Sequence, residues 1–470
     1  MKSYQNIDMK RLLTIMAASL LAMAGATEAQ AQIVVSADEA IGPIKYMNAV
    51  NNGPSPVFEW QSMDNMTYFK NLRIPYARTH DSTSSGDYGD TVVDITKIFP
   101  DFSKDVNDPA SYDFFYTDRM MLTLQRVGTK PFYRLGQTIE NGNGKKYDIF
   151  PPADFKKWAQ ICEHIIRHYN YGWADGYEMG IEYWEIWNEP DNDFFTKMEM
   201  SETWGGTEKQ FLEFYATAAK HLKKCFPELK IGGPATTRCN DWIIRFFDYM
   251  SKHKVPVDFF SWHLYDTHPE GMASLARKAR TIADEGGYPD AESILDEWNY
   301  IKGWDVDYAY SMSVIHEIKG AAFTSAVMTA CQYEPVDLLM YYDAQSWTPY
   351  NGLFDFYTSK PIAGYYAFYA WSRLLDYGTQ VRLAEDMDDV YAVAARKSDG
   401  KLAIYVTRYN EDNNVTSDKA VTIEIPGYDI RGAISHITDS VHMYTEMPVE
   451  TKDGKIVLYL EPESFALIEL

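Results

Sequence analysis

The sequence predicts a (β/α)8 TIM barrel followed by a C-terminal antiparallel β-sandwich. Between residues 44 and 333, short apolar runs rich in β-branched and aromatic residues alternate with segments of helical periodicity. Eight such strand–helix repeats are the number that closes a barrel. From about residue 377 the pattern changes to strands of alternating polarity, with a hairpin turn at Asp399-Gly400. This second pattern, about 90 residues long, is typical of a β-sandwich.

The N-terminal residues 1–31 have the pattern of a secretory signal peptide. A basic start at Lys10-Arg11 precedes an apolar run at 12–24, and small residues at 29–31 form a cleavage site. We therefore expect the protein to be secreted or periplasmic.

The predicted domain boundaries follow from the same patterns. The barrel is expected over 32–376 and the sandwich over 377–470, with 32–43 belonging to either one. Long loops after the second, third and eighth strands are typical of a substrate cleft on one face. The eight barrel strands are predicted, in chain order, at residues 44–50, 73–79, 130–136, 181–187, 229–234, 257–265, 293–299 and 326–333.

The composition limits the classes of function. The 470 residues carry a formal net charge of −23, which argues against nucleic acid or an anionic membrane as a partner. Aromatic residues make up 15% of the chain, which suits a large core and also a cleft that stacks on sugar rings. Four cysteines are too few for a disulfide scaffold and allow three pairings; they are Cys162, Cys225, Cys239 and Cys331.

Two glutamates follow the predicted ends of different barrel strands. Glu189 comes after the fourth strand in "WEIWNEP" (184–190), and Glu297 ends the seventh strand in "DEWN" (296–299). A glutamate at such a place can simply cap a strand or pair with an arginine. Two of them at matching strand ends instead favour catalysis, because active sites of barrels lie at the strand ends and glycosidic bond cleavage needs two carboxylates.

Other signatures of chemistry are missing from the sequence. No GxSxG, P-loop or GxGxxG pattern occurs, which argues against serine hydrolases, P-loop ATPases and Rossmann oxidoreductases. His164 and His168 have the spacing of a metal pair, but residue 165 is Ile rather than the Glu of a zincin. We therefore expect no metal and no cofactor.

The motif "WEIWNEPDNDFF" (184–195) resembles the acid/base strand of glycoside hydrolase family 39 in clan A, a family that contains β-xylosidases and α-L-iduronidases. The resemblance covers roughly residues 44–370. The further segments that carry it, in the order of the family, are "ARTHD" (77–81), 112–136, "LKIGGPA" (229–235), "VDFFSWHLY" (257–265), "ILDEWN" (294–299) and 351–368.

This resemblance implies roles for individual residues. Glu189 would be the general acid/base and Glu297 the nucleophile of a retaining glycosidase. Asn188 would bond the sugar 2-hydroxyl. Arg78 and Tyr265 would contact the nucleophile, and His80 and His263 would line the subsite of the cleaved sugar. Apart from the resemblance, the aromatic side chains Trp298 and Tyr333 near strand ends are expected to contact the sugar.

Three details of the sequence bear on these assignments. Strict strand alternation puts Asn188 and Glu189 on opposite faces, so both can face the site only if the strand ends or twists between them. The same alternation predicts that Asp296 points away from the site. In the predicted eighth strand, Gln332 or Tyr333 would replace the family's usual Trp.

The expected substrate is a neutral plant-type glycan, with a β-xyloside first and arabinose- or galactose-containing chains next. An iduronide would need a cation beside the sugar, for which the strand ends offer Arg78, Arg134 and Lys302. The alternatives are an endo-acting or disaccharide-releasing glycosidase, a transglycosylase, and a non-catalytic carbohydrate-binding protein.

Overall fold

The computed structural model describes residues 31–54, 65–80, 92–138, 149–192, 203–385 and 388–470. The predicted signal peptide lies outside these residues, except for Ala31. The strands, in chain order, are β1 (Ala31–Pro43), β2 (Tyr46–Asn51), β3 (Tyr76–Arg78), β4 (Lys130–Leu135), β5 (Tyr183–Ile186), β6 (Lys230–Gly232), β7 (Phe259–Asp266), β8 (Glu292–Tyr300), β9 (Leu338–Tyr341), β10 (Thr379–Glu385), β11 (Val390–Arg396), β12 (Leu402–Arg408), β13 (Lys419–Glu424), β14 (Ile434–Thr438), β15 (Thr445–Pro448), β16 (Glu450–Lys452), β17 (Lys455–Leu460) and β18 (Ser464–Glu469).

Helices alternate with the strands up to residue 374. Those in the described residues are α1 (Met66–Leu72), α2 (Ile95–Ile98), α3 (Phe115–Val127), α4 (Phe155–Tyr171), α5 (Glu208–Cys225), α6 (Asp241–Lys252), α7 (Pro269–Glu285), α8 (Tyr308–Ile315), α9 (Ile318–Gln332) and α10 (Ala363–Leu374). No helix among the described residues is long and apolar enough to cross a membrane.

The parallel strands β2 to β9 form the predicted barrel. Their order in the sheet is β6-β5-β4-β3-β2-β9-β8-β7. The gap between β6 and β7 is bridged by the segment after β6, where the backbone N–H of Thr236 donates to Ser261 at 3.1 Å and that of His263 donates to Thr236 at 2.8 Å. The strands therefore surround a closed interior, and the predicted fold class is confirmed.

The eighth strand lies later in the chain than predicted. Residues 326–332 belong to helix α9, and the eighth strand is β9, at Leu338–Tyr341. Helix α9 is buried on every side, because it lies between the barrel and the C-terminal sheet. A helix without a polar stripe has no visible 3.6-residue period, so a short apolar part of it cannot be distinguished from a buried strand by sequence.

Inward-facing side chains fill the barrel in two layers. An apolar layer contains Phe132, Tyr183 and Phe259, with the rings of Phe132 and Tyr183 5.0 Å apart. Two residues further along β5 and β7, the inward positions are the polar Glu185 and Ser261, which hydrogen-bond each other. Alternate residues of a strand share a face, so the next inward layer lies two residues further along each strand. This polar layer lies directly beneath the carboxyl ends of the strands, where active sites of barrels are found.

The C-terminal domain is one ten-stranded sheet folded around its own core. Its order is β15-β14-β18-β12-β11-β10-β1-β13-β17-β16, and neighbouring strands are antiparallel except for the parallel pair β1 and β13. Strand β1 pairs on its other side with β10, so residues 33–43 lie in this sheet. Ile33 of β1, Val406 of β12 and Ile456 of β17 belong to one buried core, so strands from different parts of the sheet share it.

Helices α9 and α10 join the barrel to the sandwich. Ser325 of α9 donates a hydrogen bond to the Tyr405 hydroxyl at 2.6 Å. Trp371 of α10 packs its indole 6.0 Å from the ring of Tyr405 and donates its Nε1–H to the carbonyl of Lys45 at 3.1 Å. The four cysteines are free thiols, so none of the three possible disulfide pairings is formed.

Replacing Trp371 with Ala should destabilise the protein by about 3–5 kcal/mol, because the side chain is fully buried and its removal leaves a cavity between the two domains. Chemical denaturation followed by tryptophan fluorescence and far-UV circular dichroism measures this. Tyr459→Ala is the control, because Tyr459 is 61% exposed on β17 and its loss should change stability by less than about 1 kcal/mol. Equal effects of the two changes would contradict a domain interface that depends on Trp371.

Candidate active site

The chain leaves β5 in an unusual backbone conformation. Strand β5 ends at Ile186, and the next residues include Trp187 with φ of 77° and Glu189 with φ of 46°. Left-handed conformations of non-glycine residues cost free energy and occur where the surrounding structure enforces them. Here the backbone N–H of Glu189 donates to Ala235 at 2.8 Å. The strand therefore ends before Asn188, and both Asn188 and Glu189 face the barrel interior.

A β-bulge has the same effect on β8. Its register with β7 shifts between Trp262 and His263, and its register with β9 shifts between Leu295 and Trp298. An extra residue in a strand interrupts the alternation of faces. Asp296 and Glu297 consequently both face inwards, with carboxylate oxygens 3.2 Å and 2.7 Å from the guanidinium of Arg78. The expectation that Asp296 points away from the site was wrong for this reason.

The guanidinium of Arg78 holds the polar layer together. It donates from Nε to Glu185 at 2.6 Å, from Nη1 to Glu297 at 2.7 Å, and from Nη2 to the side-chain oxygen of Asn188 at 2.7 Å. Nη1 also donates to Asn51 at 3.1 Å. The flat fork of an arginine suits several acceptors at fixed angles, so this one side chain orients groups from different strands.

Glu189 and Glu297 lie on either side of His263. The Nδ1 atom of His263 is 2.8 Å from Oε1 of Glu189 and 3.3 Å from Oε2 of Glu297. A carboxylate oxygen of each glutamate and a ring nitrogen of His263 lie within 4.8 Å of one another. Tyr265 donates to Glu297 at 3.0 Å, and Asn192 donates to Glu189 at 2.9 Å. The two carboxylates are thus close together and separately oriented.

Burial and charge shift the pKa values of this cluster in opposite directions. Burial raises the pKa of Glu185 to about 8. Burial also raises the pKa of Glu297, against the opposing effects of His263 and Arg78. For Asp296, the cations Arg78 and His263 outweigh burial and lower the pKa. Burial alone would lower the pKa of His263, but Glu297 and Asp296 raise it well above its usual range. The cluster therefore favours a charged imidazole among shared protons.

Two further predicted residues border this cluster. His80 follows β3 and places its Nε2 atom 3.3 Å from Oε1 of Glu297. The side-chain amide nitrogen of Asn188 is buried and has no hydrogen-bond partner among the described residues. A buried amide donor without a partner is costly, so it suits a hydroxyl group supplied by a ligand.

Two of the predicted sugar contacts lie elsewhere. Trp298 is fully buried on the outer face of β8, with its ring 6.4 Å from Phe323 of helix α9. Its position follows from the alternation of faces after the bulge. Tyr333 caps the end of α9 and donates to the carbonyl of Ala392 in the sandwich at 2.9 Å. It precedes the eighth strand, which begins at Leu338, and contacts the sandwich instead of the barrel interior, so the prediction failed with the strand assignment.

The sequence analysis did not identify four residues of the site, which are Asn51, Asp343, Glu185 and Asp296. Asn51 ends β2 and donates to the carbonyl of Asp296 at 2.6 Å. Asp343 follows β9, and burial raises its pKa to about 7. A polar residue at the carboxyl end of a strand was the available signal for Asn51. The same signal would have found Asp343 once the eighth strand was placed correctly.

A metal is the other ligand that two carboxylates and a histidine can hold. Metal binding requires a neutral imidazole, so a metal here would compete with the proton that the surrounding carboxylates favour on His263. Another such group among the described residues is Glu163, His221 and Cys225 on the neighbouring helices α4 and α5, where His221 lies 2.7 Å from Glu163. The hydrogen bonding of the first group suits proton transfer better than metal ligation.

Comparisons with known proteins place the chain in a family. The family model "Glycosyl hydrolases family 39" matches residues 45–354. The chain is 35% identical over 213 residues to a beta-xylosidase of Caldicellulosiruptor saccharolyticus, covering 40% of this chain and 41% of that protein. It is 24% identical over 272 residues to a beta-xylosidase of Geobacillus stearothermophilus, covering 52% of this chain and 49% of that protein.

The fold is also similar to that of solved structures. A glucosidase from Croceicoccus marinus superposes with a TM-score of 0.74 at 23% identity, covering 94% of this chain and 98% of that one. The chain belongs to glycosyl hydrolase family 39. It matches less than half of the length of each of the two beta-xylosidases.

Replacing Asp296 with Asn should lower the pKa of His263, because it removes one of the three carboxylates that offset the cost of burying a charged imidazole. NMR titration of the histidine ring nitrogens should show His263 losing its proton at lower pH in the variant. Asp94→Asn is the control, since Asp94 is a buried carboxylate that pairs with Arg134 instead. An unchanged titration of His263 in Asp296→Asn would contradict this coupling.

Proposed function

We propose that this protein is a retaining glycoside hydrolase that removes β-xylosyl units from the ends of neutral plant-type glycans. The observation that carries the proposal is the pair Glu189 and Glu297, whose carboxylate oxygens lie within 4.8 Å across His263. Retaining glycosidases hold their two carboxyl groups about 5–5.5 Å apart, whereas inverting enzymes leave about 6.5–9.5 Å for a water molecule. Membership of family 39 supports the same class of reaction.

Glu297 acts as the nucleophile in this proposal. It accepts hydrogen bonds from Arg78 and Tyr265, which hold its carboxylate in one orientation and stabilise its negative charge. Attack of one oxygen on the anomeric carbon forms a glycosyl–enzyme ester and releases the leaving sugar. The oxygen that does not attack keeps its hydrogen bond to the protein during this step.

Glu189 acts as the general acid and then as the general base. It lies closer to the surface than Glu297 and is oriented by His263 and Asn192. Its proton passes to the glycosidic oxygen as the bond breaks. In the second step the same carboxylate takes a proton from water, which attacks the ester and releases a sugar with retained configuration. The partnerless amide of Asn188 donates to the 2-hydroxyl of the sugar.

The ion pairs near the site favour a neutral sugar as the substrate. Each of the three candidates for binding a sugar carboxylate already lies beside a carboxylate of the protein. Arg78 pairs with Glu185 and Glu297, and Arg134 lies 2.9 Å from Asp94. Lys302 lies 3.6 Å from Glu411. The two relatives named beta-xylosidase support xylose as the sugar.

The pattern of residues 1–31 further supports a proposal about location. A cleaved signal peptide would place the enzyme outside the cytoplasm, secreted or in the periplasm, where oligosaccharides from plant polysaccharides are available.

The two glutamates should respond differently to substitution. Glu297→Ala should lower turnover about 10⁴-fold or more on every substrate, because the attacking atom is lost. Glu189→Ala should keep activity on dinitrophenyl glycosides, whose leaving group needs no proton, and added azide should give a glycosyl azide of retained configuration. Stopped assays and proton NMR of the product measure both effects.

Glu182→Ala is the control for these two changes, because Glu182 lies just before β5, at the opposite end of the same strand, and pairs with Lys130. It should leave turnover unchanged. Identical behaviour of Glu189→Ala and Glu297→Ala on dinitrophenyl glycosides would overturn the division of roles, and a first-formed product of inverted configuration would overturn the retaining mechanism.

The substrate is tested by comparing kcat/KM on aryl glycosides. We expect the aryl β-xyloside to be hydrolysed at least tenfold faster than the β-galactoside or α-L-arabinoside, and the α-L-iduronide to be hydrolysed least, because the cations near the site are already paired. A preference for the iduronide would contradict a neutral substrate. Activity on oligosaccharides alone would instead show an endo-acting or disaccharide-releasing enzyme.

A further inference from the structure

A glutamate, a histidine and a cysteine meet between two neighbouring helices of the barrel. Glu163 lies in the middle of α4, and His221 and Cys225 lie in the last turns of α5. The Nε2 atom of His221 is 2.7 Å from Oε2 of Glu163 and 3.8 Å from Sγ of Cys225. One ligand atom from each residue lies within 4.8 Å of the other two. Donor atoms of three different elements therefore converge on one place.

The sequence and the packing of the helices both favour this convergence. His221 and Cys225 share a face of α5, because residues four apart on a helix lie one turn above the other. Helix α4 packs beside α5 and contributes the third group. Arg167, one turn after Glu163, donates from Nε to Oε1 of that carboxylate at 2.8 Å. This hydrogen bond orients Glu163 and leaves Oε2 directed at His221.

An ion pair between Glu163 and a charged His221 explains only two of the three groups. A single proton between Nε2 and Oε2 leaves the thiol with at most a weak hydrogen bond. Cys225 is also half-buried, whereas the other three cysteines are buried. A cation at the point of convergence would bind the carboxylate, the imidazole and the sulfur together, and so explains the whole arrangement.

The distances suit a tetrahedral metal ion. Zinc binds nitrogen and oxygen at about 2.0–2.1 Å and sulfur at about 2.3 Å, so its nitrogen and oxygen ligands lie about 3.3 Å apart and its nitrogen and sulfur ligands about 3.6 Å apart. The observed separations are 2.7 Å and 3.8 Å, which small side-chain rotations would adjust. The side chains of Glu163 and His221 are 15% and 29% exposed, so water can reach the group and supply a fourth ligand.

We propose that Glu163, His221 and Cys225 bind a divalent cation of the zinc class, which links α4 to α5. Thiolate and imidazole ligands favour Zn²⁺ and similar borderline-soft ions, whereas Ca²⁺ and Mg²⁺ take oxygen ligands. The cation replaces the proton between Nε2 and Oε2 and the proton of the thiol, and both protons pass to water. The thiolate and the carboxylate together carry two negative charges, which match the charge of the ion.

The metal site lies apart from the candidate active site and does not depend on the proposed function. Helices α4 and α5 follow β4 and β5 and run back along the outside of the barrel, whereas Glu189 and Glu297 lie inside it at the carboxyl ends of the strands. The cation therefore holds two helices together and takes no part in catalysis.

The pair His164 and His168 does not contribute to this site. Nδ1 of His164 lies 2.8 Å from the carbonyl of Gln160, and Nε2 of His168 lies 3.0 Å from Asp118. The expectation of no metal considered the spacing of this pair within one helix. It did not cover ligands that come from two helices.

The test is calorimetric titration of the metal-free protein, without a polyhistidine tag, with Zn²⁺. We expect one equivalent to bind with a dissociation constant of about 10 µM or tighter. Cys225→Ser and His221→Ala should each weaken binding at least about tenfold, because each removes a ligand. His253→Ala is the matched control, since His253 is exposed after α6 and stacks on Tyr249, and it should leave binding unchanged. Far-UV circular dichroism checks that each variant is folded.

Co²⁺ provides a second measurement on the unmodified protein. A thiolate ligand gives Co²⁺ an intense charge-transfer band in the near ultraviolet, which imidazole and carboxylate ligands do not give. We expect this band, and we expect Cys225→Ser to remove it. Absence of the band, or Zn²⁺ binding that persists in both ligand variants, would overturn the site. Glu297→Ala should retain Zn²⁺ binding, and its loss there would instead place the metal between Glu189 and His263.

Discussion

The guanidinium of Arg78 is buried inside the barrel and bonds to groups from three other strands or their ends. It contacts Asn51 at the end of β2, Glu185 and Asn188 at and just after the end of β5, and Glu297 on β8. A buried charge is tolerated only with partners, so the guanidinium and the carboxylates require each other. Removing Arg78 would leave uncompensated carboxylates beneath the site. The position of Glu297 thus depends on this guanidinium.

This cluster also determines how protons are distributed. Burial raises the pKa of Glu185, whereas Arg78 and His263 lower that of Asp296, so the two buried carboxyl groups beside Arg78 differ in how readily they hold a proton. Asp296 in turn helps His263 to remain charged between Glu189 and Glu297. Glu189 and Glu297 therefore lie above a layer in which positive and negative charges nearly balance. Such a layer fixes geometry without drawing either carboxylate permanently into an ion pair.

The backbone irregularities of β5 and β8 provide the space for this arrangement. A regular strand presents every second residue to the interior, which would place Asn188 opposite Glu189 and Asp296 opposite Glu297. The left-handed residues Trp187 and Glu189, and the bulge before Trp298, bring both members of each pair inwards. Irregular backbone concentrated at functional sites is a recurring feature of enzymes, because a dense set of polar groups cannot be built on a perfect period.

The sequence by itself determined the barrel, the sandwich and the two glutamates at the strand ends, because periodicity and strand-end position are local properties. It also placed Arg78, His80, His263 and Tyr265 near the site through the resemblance to the family. Only the tertiary structure decided that Asp296 faces inwards, that Trp298 faces the helices, and that the eighth strand begins at Leu338. Those features depend on the registers of β8 with its neighbours and on the burial of α9 from all sides. Neither leaves a periodic trace in the chain, because each arises from packing between segments that are distant in sequence.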